Sequence, residues 1–308
     1  MFKATSLATT LSVAALVALG PLSTDMYLPT LPGLTRELAT TPANVQLTLS
    51  LFLAGFAIAQ IIYGPLSDRY GRKPVLMSGL LLFVLASIGC ALSSDIYALI
   101  GFRFLQALGG SAGPVLGRAI VRDIHGPKNA ARVLSHIASA MALAPAVAPI
   151  AGGFMALAWG WASSFWFLAL FGLAGIALLN FKIAESAPQE HRYPKSIRTI
   201  ANDYASLLQD RGYLGYLLTC SLSYAGLFCF LSGSSFVIIE YFGIAPQWFG
   251  MLFTLVVLGY MSGSLLGARL SHRKGYRELV RLGALNCMLS GLLMLGFTPV
   301  SYTHLRAH

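Results

Sequence analysis

The sequence predicts an all-α, polytopic membrane protein, and three observations carry that prediction. Of 308 residues, 56% are hydrophobic and 10% charged, whereas a soluble domain carries about 25% charged residues. The apolar residues gather in runs of about 20, the length a helix needs to cross roughly 30 Å of hydrocarbon. The Lys and Arg residues collect between alternate runs, nearly all toward one side. Together these features weigh against a soluble enzyme, a nucleic-acid binder and a secreted disulfide scaffold.

Nine spans follow in order: Ala8–Pro29, Val45–Leu66, Val75–Leu92, Ile96–Leu116, Val133–Leu157, Ser163–Phe181, Leu214–Ile239, Phe249–Leu266 and Leu279–Phe297. The first has Lys3 before it, as a signal peptide would. Its only small-residue site, Ala18-Leu19-Gly20, is followed by Pro21, which disfavours cleavage, so the segment reads as a retained helix. With these spans, 18 of the 21 Lys and Arg residues face one side of the membrane. Arg36 stands alone on the other side, Arg103 is inside a span, and Arg306 is in the last few residues. Basic loops stay in the cytoplasm, so the N-terminus is expected there. The net charge of +10 is then a topology signal and not a nucleic-acid footprint. Cys90, Cys220, Cys229 and Cys287 all lie in apolar runs without C-x-x-C spacing and read as small buried hydrophobes.

The connection from Lys182 to Gly212, with five basic and four acidic residues, is the only long polar one. It divides the chain into residues 1–184, a six-helix transmembrane bundle, a central cytoplasmic loop over 185–212, and a partial second bundle over 213–299. A faint echo links the halves: Gly64…Gly71-Arg72 after the second span, and Gly267…Gly275-Tyr276-Arg277 after the eighth. Parallel six-helix repeats are a transporter plan, on which the second half is three helices short. Residues 300–308 are polar and basic on the non-cytoplasmic side, against the charge rule, and resemble a translated sequencing adapter. The expectation is that the native sequence leaves this chain near Pro299 and continues, a natural tail being the alternative.

The most specific local pattern is Gly64-Pro65-Leu66-Ser67-Asp68-Arg69-Tyr70-Gly71-Arg72-Lys73-Pro74-Val75-Leu76. Its glycines permit a tight turn with positive φ, and Asp68 can cap a helix or pair with an arginine. Any short basic loop would explain Arg69, Arg72 and Lys73, but not the glycine spacing or the acid. The stretch resembles the G-x-L-a-D-r-x-G-r-k-x-x-l signature of the major facilitator superfamily (MFS), matched at Gly64, Leu66, Asp68, Arg69, Gly71, Arg72, Lys73 and Leu76. The resemblance implies the MFS fold, with a complete first six-helix bundle and about three helices of the second. It also implies that this loop is a cytoplasmic latch between helices, in which Arg72 pairs with Asp123.

Arg103 is the only base inside a span. Burying an arginine at mid-helix costs about 2.5–3.5 kcal/mol, so it needs a cavity or a partner, or must snorkel outward over about 10 Å. The run from Leu99 to Gly109 resembles the superfamily's l-x-x-x-R-x-x-q-G-x-g, with Ala107 in place of a glycine. Asp25, in the first span, is the matching acid at similar depth, roughly 6–14 Å from the outer edge. Pro21, four residues earlier, removes a helix hydrogen bond beside it. Asp25 and Arg103 are therefore the candidates for proton coupling, with an interfacial cap as the bland reading of Asp25.

In the fifth span, Ala144, Ala148 and Gly152 recur every four residues, a stripe for close helix packing. Its Ala144-Pro145-Ala146-Val147-Ala148-Pro149-Ile150-Ala151-Gly152-Gly153 also resembles the G-P-x-x-G-G antiporter motif of proton-coupled drug exporters, nominating Pro145, Pro149, Gly152 and Gly153. The runs from Ser23 to Pro29 and from Leu231 to Glu240 resemble the bicyclomycin/chloramphenicol-resistance group of drug/proton antiporters, with Ser235 where that group carries proline. That resemblance nominates Tyr27, Tyr224 and Phe228 for the substrate cavity, although aromatics on membrane helices more often serve packing. The glycine-rich run from Gly109 to Pro114 lacks a following Lys-Ser/Thr and is no phosphate loop. His125, His136, His191 and His272 have no ligand spacing, so no metal site is expected.

The reading is a proton-coupled exporter of small hydrophobic or amphipathic drugs in a bacterial inner membrane. It is expected to work as a monomer by alternating access, in a lipid bilayer, with no nucleic-acid partner. No cofactor is implied, the proton gradient being the energy source. An intramembrane enzyme would need His, Asp, Glu or Ser clustered at one membrane face, and the acids here are dispersed. A permease for another small metabolite, or a fragment unable to transport by itself, are the alternatives.

Overall fold

A computed structural model describes residues 7–141, 144–182, 185–186, 197–271 and 273–305, and these form helices with no strand among them. The first is α1, Leu7–Asp25, with Pro21 inside it. It stops four residues before the expected end. Pro29 and Pro32 lack an amide hydrogen, and the chain continues as a 3-10 turn, Leu28–Thr30, and a short α2, Leu31–Glu37. This piece is buried, from Met26 through Leu31.

α3 spans Pro42–Tyr70, started by Thr41, whose hydroxyl accepts from the Asn44 amide at 3.3 Å, with proline at its first position. It ends at Gly71, where φ is +97°, and α4, Arg72–Ala91, starts immediately after. α5, Ile96–Gly110, is capped by Asp95, whose carboxylate accepts from the amides of Tyr97 and Ala98 at 2.9 Å each. The fourth expected span, Ile96–Leu116, is thus divided at Ser111, and α6, Ala112–Met141, continues it. Gly126, at φ +68°, bends α6 so that its second part belongs to the fifth span. α7, Ala144–Trp159, completes that span, and α8, Ser163–Lys182, closes the first six.

The central connection carries a helix that the search for 20-residue apolar runs passes over: α9, Ile197–Gln209. α10, Arg211–Ser235, ends in a π-helical turn, Phe236–Tyr241. α11 is Pro246–Ser271, and α12 is Tyr276–Leu305, running past Pro299. Among the described residues six stretches are long and apolar enough to cross a membrane: Pro42–Tyr70, Arg72–Ala91, Ser163–Phe181, Arg211–Tyr241, Pro246–Ser271 and Arg277–Gly296.

The chain forms two compact units. One comprises Met1–Lys195 with Ser232–Val257; the other comprises Ser196–Leu231 with Leu258–His308. In the first, α4 packs on α5 and α8, α3 on α5, and α1 on α6. Small residues make these approaches possible. A β-carbon on Gly113 would collide with the Leu16 carbonyl, and one on Gly109 with the backbone of Phe83. The repeat of the α3–α4 turn between α11 and α12 stops at the sequence, since Gly275 does not share the positive φ of Gly71. The cysteines also part from expectation. All four are free thiols, but only Cys90 is buried; Cys220, Cys229 and Cys287 are exposed on apolar helices.

Candidate functional site

Arg103 lies in the interior of the first unit with none of its surface exposed. Its Nη1 donates to the carbonyl of Ser23 at 3.0 Å and to Oε1 of Gln106 at 2.7 Å. Gln106 in turn donates from Nε2 to the Ser87 hydroxyl at 2.8 Å, and that hydroxyl donates to the Phe83 carbonyl at 2.6 Å. Three rings surround the guanidinium, Phe52 at 4.2 Å, Tyr27 at 4.8 Å and Phe165 at 5.7 Å. Hydrogen bonds to a charged group contribute about 1.5–3 kcal/mol each. Two of them, with cation–π contacts worth at least about 0.5 kcal/mol each, offset an insertion cost of about 2.5–3.5 kcal/mol. Among the described residues Arg103 is thus held by a carbonyl, an amide and three rings, with no carboxylate bonded to it. Its Nε and Nη2 have no hydrogen-bond partner among the described residues.

Asp25 closes α1 two residues beyond Ser23 and is 6% exposed. It accepts a hydrogen bond from the Thr24 hydroxyl at 2.9 Å, and Thr24 also donates to the Pro21 carbonyl at 3.0 Å. Among the described residues no ion pair joins Asp25 to Arg103 or to any other cation. The guanidinium grips the backbone of the same turn instead. The two sequence candidates thus lie along one short path, Arg103 to Ser23 carbonyl to Asp25, without a direct contact.

Tyr27, nominated for an open cavity, is fully buried. Its hydroxyl pairs with the Thr48 hydroxyl at 3.1 Å and its ring lies 5.3 Å from Phe165. It lies beside Arg103 as part of the packed interior. Tyr224 and Phe228 sit one turn apart on α10 in the second unit, their rings 5.2 Å apart, with Tyr224 exposed.

The α3–α4 turn is built around Arg72. Its Nη1 meets Asp68 Oδ1 at 2.6 Å and the Ser67 hydroxyl, and its Nε meets Asp123 Oδ2 at 3.1 Å. Glu185, just beyond α8, accepts from the backbone amides of Arg72 at 3.0 Å and Lys73 at 3.1 Å. Those amides open α4 and have no partner inside the helix, so Glu185 caps it from 112 residues away in sequence. A β-carbon at Gly71 would come within 2.6 Å of the same carboxylate, the movable end of the Glu185 side chain, so it is the φ of +97° that asks for glycine at position 71. Lys73 Nζ reaches the Asn180 carbonyl at 3.1 Å, and Arg69 lies over the ring of Tyr70 at 5.1 Å. Gly64 has open space around it.

The α7 motif meets the end of α1. Gly152 lies directly on the Met26 carbonyl, where a β-carbon would collide, and Ser164 donates to the same carbonyl at 3.5 Å. A β-carbon on Gly153 would come within 2.7 Å of the Pro246 carbonyl. Pro149 is buried beside them and Pro145 half-buried. Asp25, Arg103, Gly152 and Gly153 therefore share one region of the first unit. Sequence reasoning left out Gln106, Phe52, Phe165 and Glu185, whose roles arise only from tertiary contact. Among the described residues no three His, Cys, Asp or Glu side chains gather as a metal would require.

The sequence profile of the Major Facilitator Superfamily matches residues 13–306. The MFS-type transporter YdgK of Bacillus subtilis is 37% identical over 287 residues, covering 92% of this chain and 71% of its own. The bicyclomycin resistance protein homolog of Haemophilus influenzae is 32% identical over 298 residues, covering 94% and 75%. Among solved structures, a bacterial homolog of the human lysosomal transporter Spinster superposes with a TM-score of 0.70 at 17% identity. That superposition covers 87% of this chain and 62% of the other.

Proposed function

Since the chain belongs to the Major Facilitator Superfamily, a family of membrane transporters, we propose that it exports small hydrophobic or amphipathic drugs in exchange for protons. The relative named for bicyclomycin resistance supports a drug as the cargo. In the proposed cycle the binding cavity opens alternately to either side of a bacterial inner membrane, with the N-terminus in the cytoplasm. Asp25 takes a proton from outside and releases it inside. One charge moving through 100 mV supplies about 2.3 kcal/mol, enough to sustain a roughly fiftyfold drug gradient.

The observation that carries the reading is the buried Asp25 carboxyl, held by Thr24 and unpaired with a cation among the described residues. Gaining or losing a proton there breaks no ion pair. Arg103, which binds the backbone of the same turn, holds that turn in register whichever form Asp25 takes. The Arg72 cluster serves as the latch that closes the cytoplasmic side. The α7 glycines seat the end of α1 and the start of α11 against α7.

The test is bicyclomycin accumulation in cells that lack their own exporters and express this chain. Cells with the chain hold several-fold less drug than cells without it, and an uncoupler that collapses the proton gradient erases the difference. Equal accumulation with and without the chain, or a difference that survives the uncoupler, contradicts the proposal.

A further inference from the structure

The second unit holds a feature that proton-coupled export does not use. A cavity of about 530 Å³ between the starts of α10 and α12 is lined by Arg211, Gly212, Gly215, Tyr216, Thr219, Arg277, Val280 and Arg281. Among the described residues none of the three arginines forms an ion pair or a side-chain hydrogen bond. The neighbouring acids are already committed. Glu278 pairs with Lys274 at 3.1 Å. Asp210 accepts from the amides of Gly212 at 2.7 Å and Tyr213 at 3.1 Å, capping α10. That cap removes the helix-end amides as anion donors, so an anion here would depend on the guanidiniums. The Thr219 hydroxyl is also engaged, donating to the Gly215 carbonyl at 2.8 Å.

Three guanidiniums around one hollow make a site for phosphate, whose oxygens they meet in paired hydrogen bonds. Two sources could supply it, a phospholipid headgroup or a free phosphate. The surroundings favour lipid. Arg211 and Arg277 stand at the first positions of two membrane-crossing stretches, the level of the headgroups. Beyond the cavity, Leu218 and Leu222 on α10 and Leu285 on α12 are exposed along the path of an acyl chain. Immediately before α10, α9 repeats apolar residues at positions 197, 200, 204, 207 and 208. Its Tyr204, Leu207 and Leu208 are exposed, the pattern of a helix lying in the interface. We propose that Arg211, Arg277 and Arg281 bind the phosphate of an anionic phospholipid from the cytoplasmic leaflet, with α9 resting on that leaflet beside it. The side of the membrane rests on the orientation proposed above; the binding chemistry does not.

Native mass spectrometry of the purified full chain, titrated with phosphatidylglycerol, phosphatidylcholine or inorganic phosphate, tests this. Phosphatidylglycerol is expected to bind in defined stoichiometry and phosphatidylcholine at least tenfold more weakly. Millimolar inorganic phosphate should not displace the lipid. Affinity should fall about fivefold for each arginine in Arg277→Gln and Arg281→Gln. Arg277→Lys with Arg281→Lys, which keeps the charge, should lose less. Arg118→Gln with Arg122→Gln, in the first unit, should lose nothing. Equal binding of the two lipids by the wild-type chain, a measurement that needs no variant, overturns the proposal. Displacement by inorganic phosphate assigns the site to a soluble anion and overturns it too. So does an equal loss in the first-unit pair, which reduces the effect to general basic charge.

Discussion

At the scale of single residues, the deciding fact is that Arg103 holds the carbonyl of Ser23, two residues before Asp25, yet is not bonded to Asp25 itself. Gln106 makes that possible. It accepts from Arg103 at 2.7 Å and donates to Ser87 at 2.8 Å, so one amide side chain satisfies groups on two elements. Gln106→Leu keeps the bulk but leaves Arg103 Nη1 one acceptor short, with the Ser23 carbonyl as its remaining partner, and the Ser87 hydroxyl with only its bond to the Phe83 carbonyl. Leaving a buried polar group unmatched costs about 1–3 kcal/mol. The variant is therefore expected to melt several degrees lower in detergent, as followed by circular dichroism. A melting temperature equal to that of the wild type would show that the bond to Gln106 contributes nothing. The sequence marks Arg103 and Asp25 because charges are rare in apolar runs. It does not mark Phe52 and Phe165, since aromatics on membrane helices are common and only packing tells which ones meet a guanidinium.

At the scale of elements, the α3–α4 turn joins four segments through three carboxylates, Asp68, Asp123 and Glu185, and one arginine. Asp123 on α6 and Glu185 beyond α8 both converge on Arg72, one on its side chain and the other on its backbone. Both Arg72 and Asp123 are about 15% exposed (15% and 16%), so solvent screens the pair less than an open surface bridge. A double-mutant cycle with Arg72→Met and Asp123→Asn is expected to give a coupling of about 0.5–3 kcal/mol by thermal melting, and strict additivity would contradict it. Most helices were legible from hydrophobicity alone, because a run of 20 apolar residues has few other uses. Their breaks were less so. α1 ends early where Pro29 and Pro32 interrupt the amide ladder, and the division at Ser111 falls three residues before Pro114, which has no amide hydrogen to give the Gly110 carbonyl. α9 went unread because its signal is amphipathic spacing within a charged loop. The Glu185 cap could not be read at all, as no local pattern couples residue 185 to residue 72.

At the scale of the whole molecule, the chain is a membrane transporter of the Major Facilitator Superfamily, and the proposal is that drug leaves as protons enter. Its fold is that of the superfamily, and its first unit gathers the buried acid, the buried base, the Arg72 cluster and the small-residue contacts of α7. The central claim is that Asp25 carries the proton. The most direct test is to reconstitute wild type and Asp25→Asn in liposomes with a trapped pH dye and to record proton movement when the exported drug is added. The account predicts drug-dependent proton movement for the wild type and none for Asp25→Asn at equal protein incorporation. Unchanged drug-driven proton movement in Asp25→Asn would contradict it.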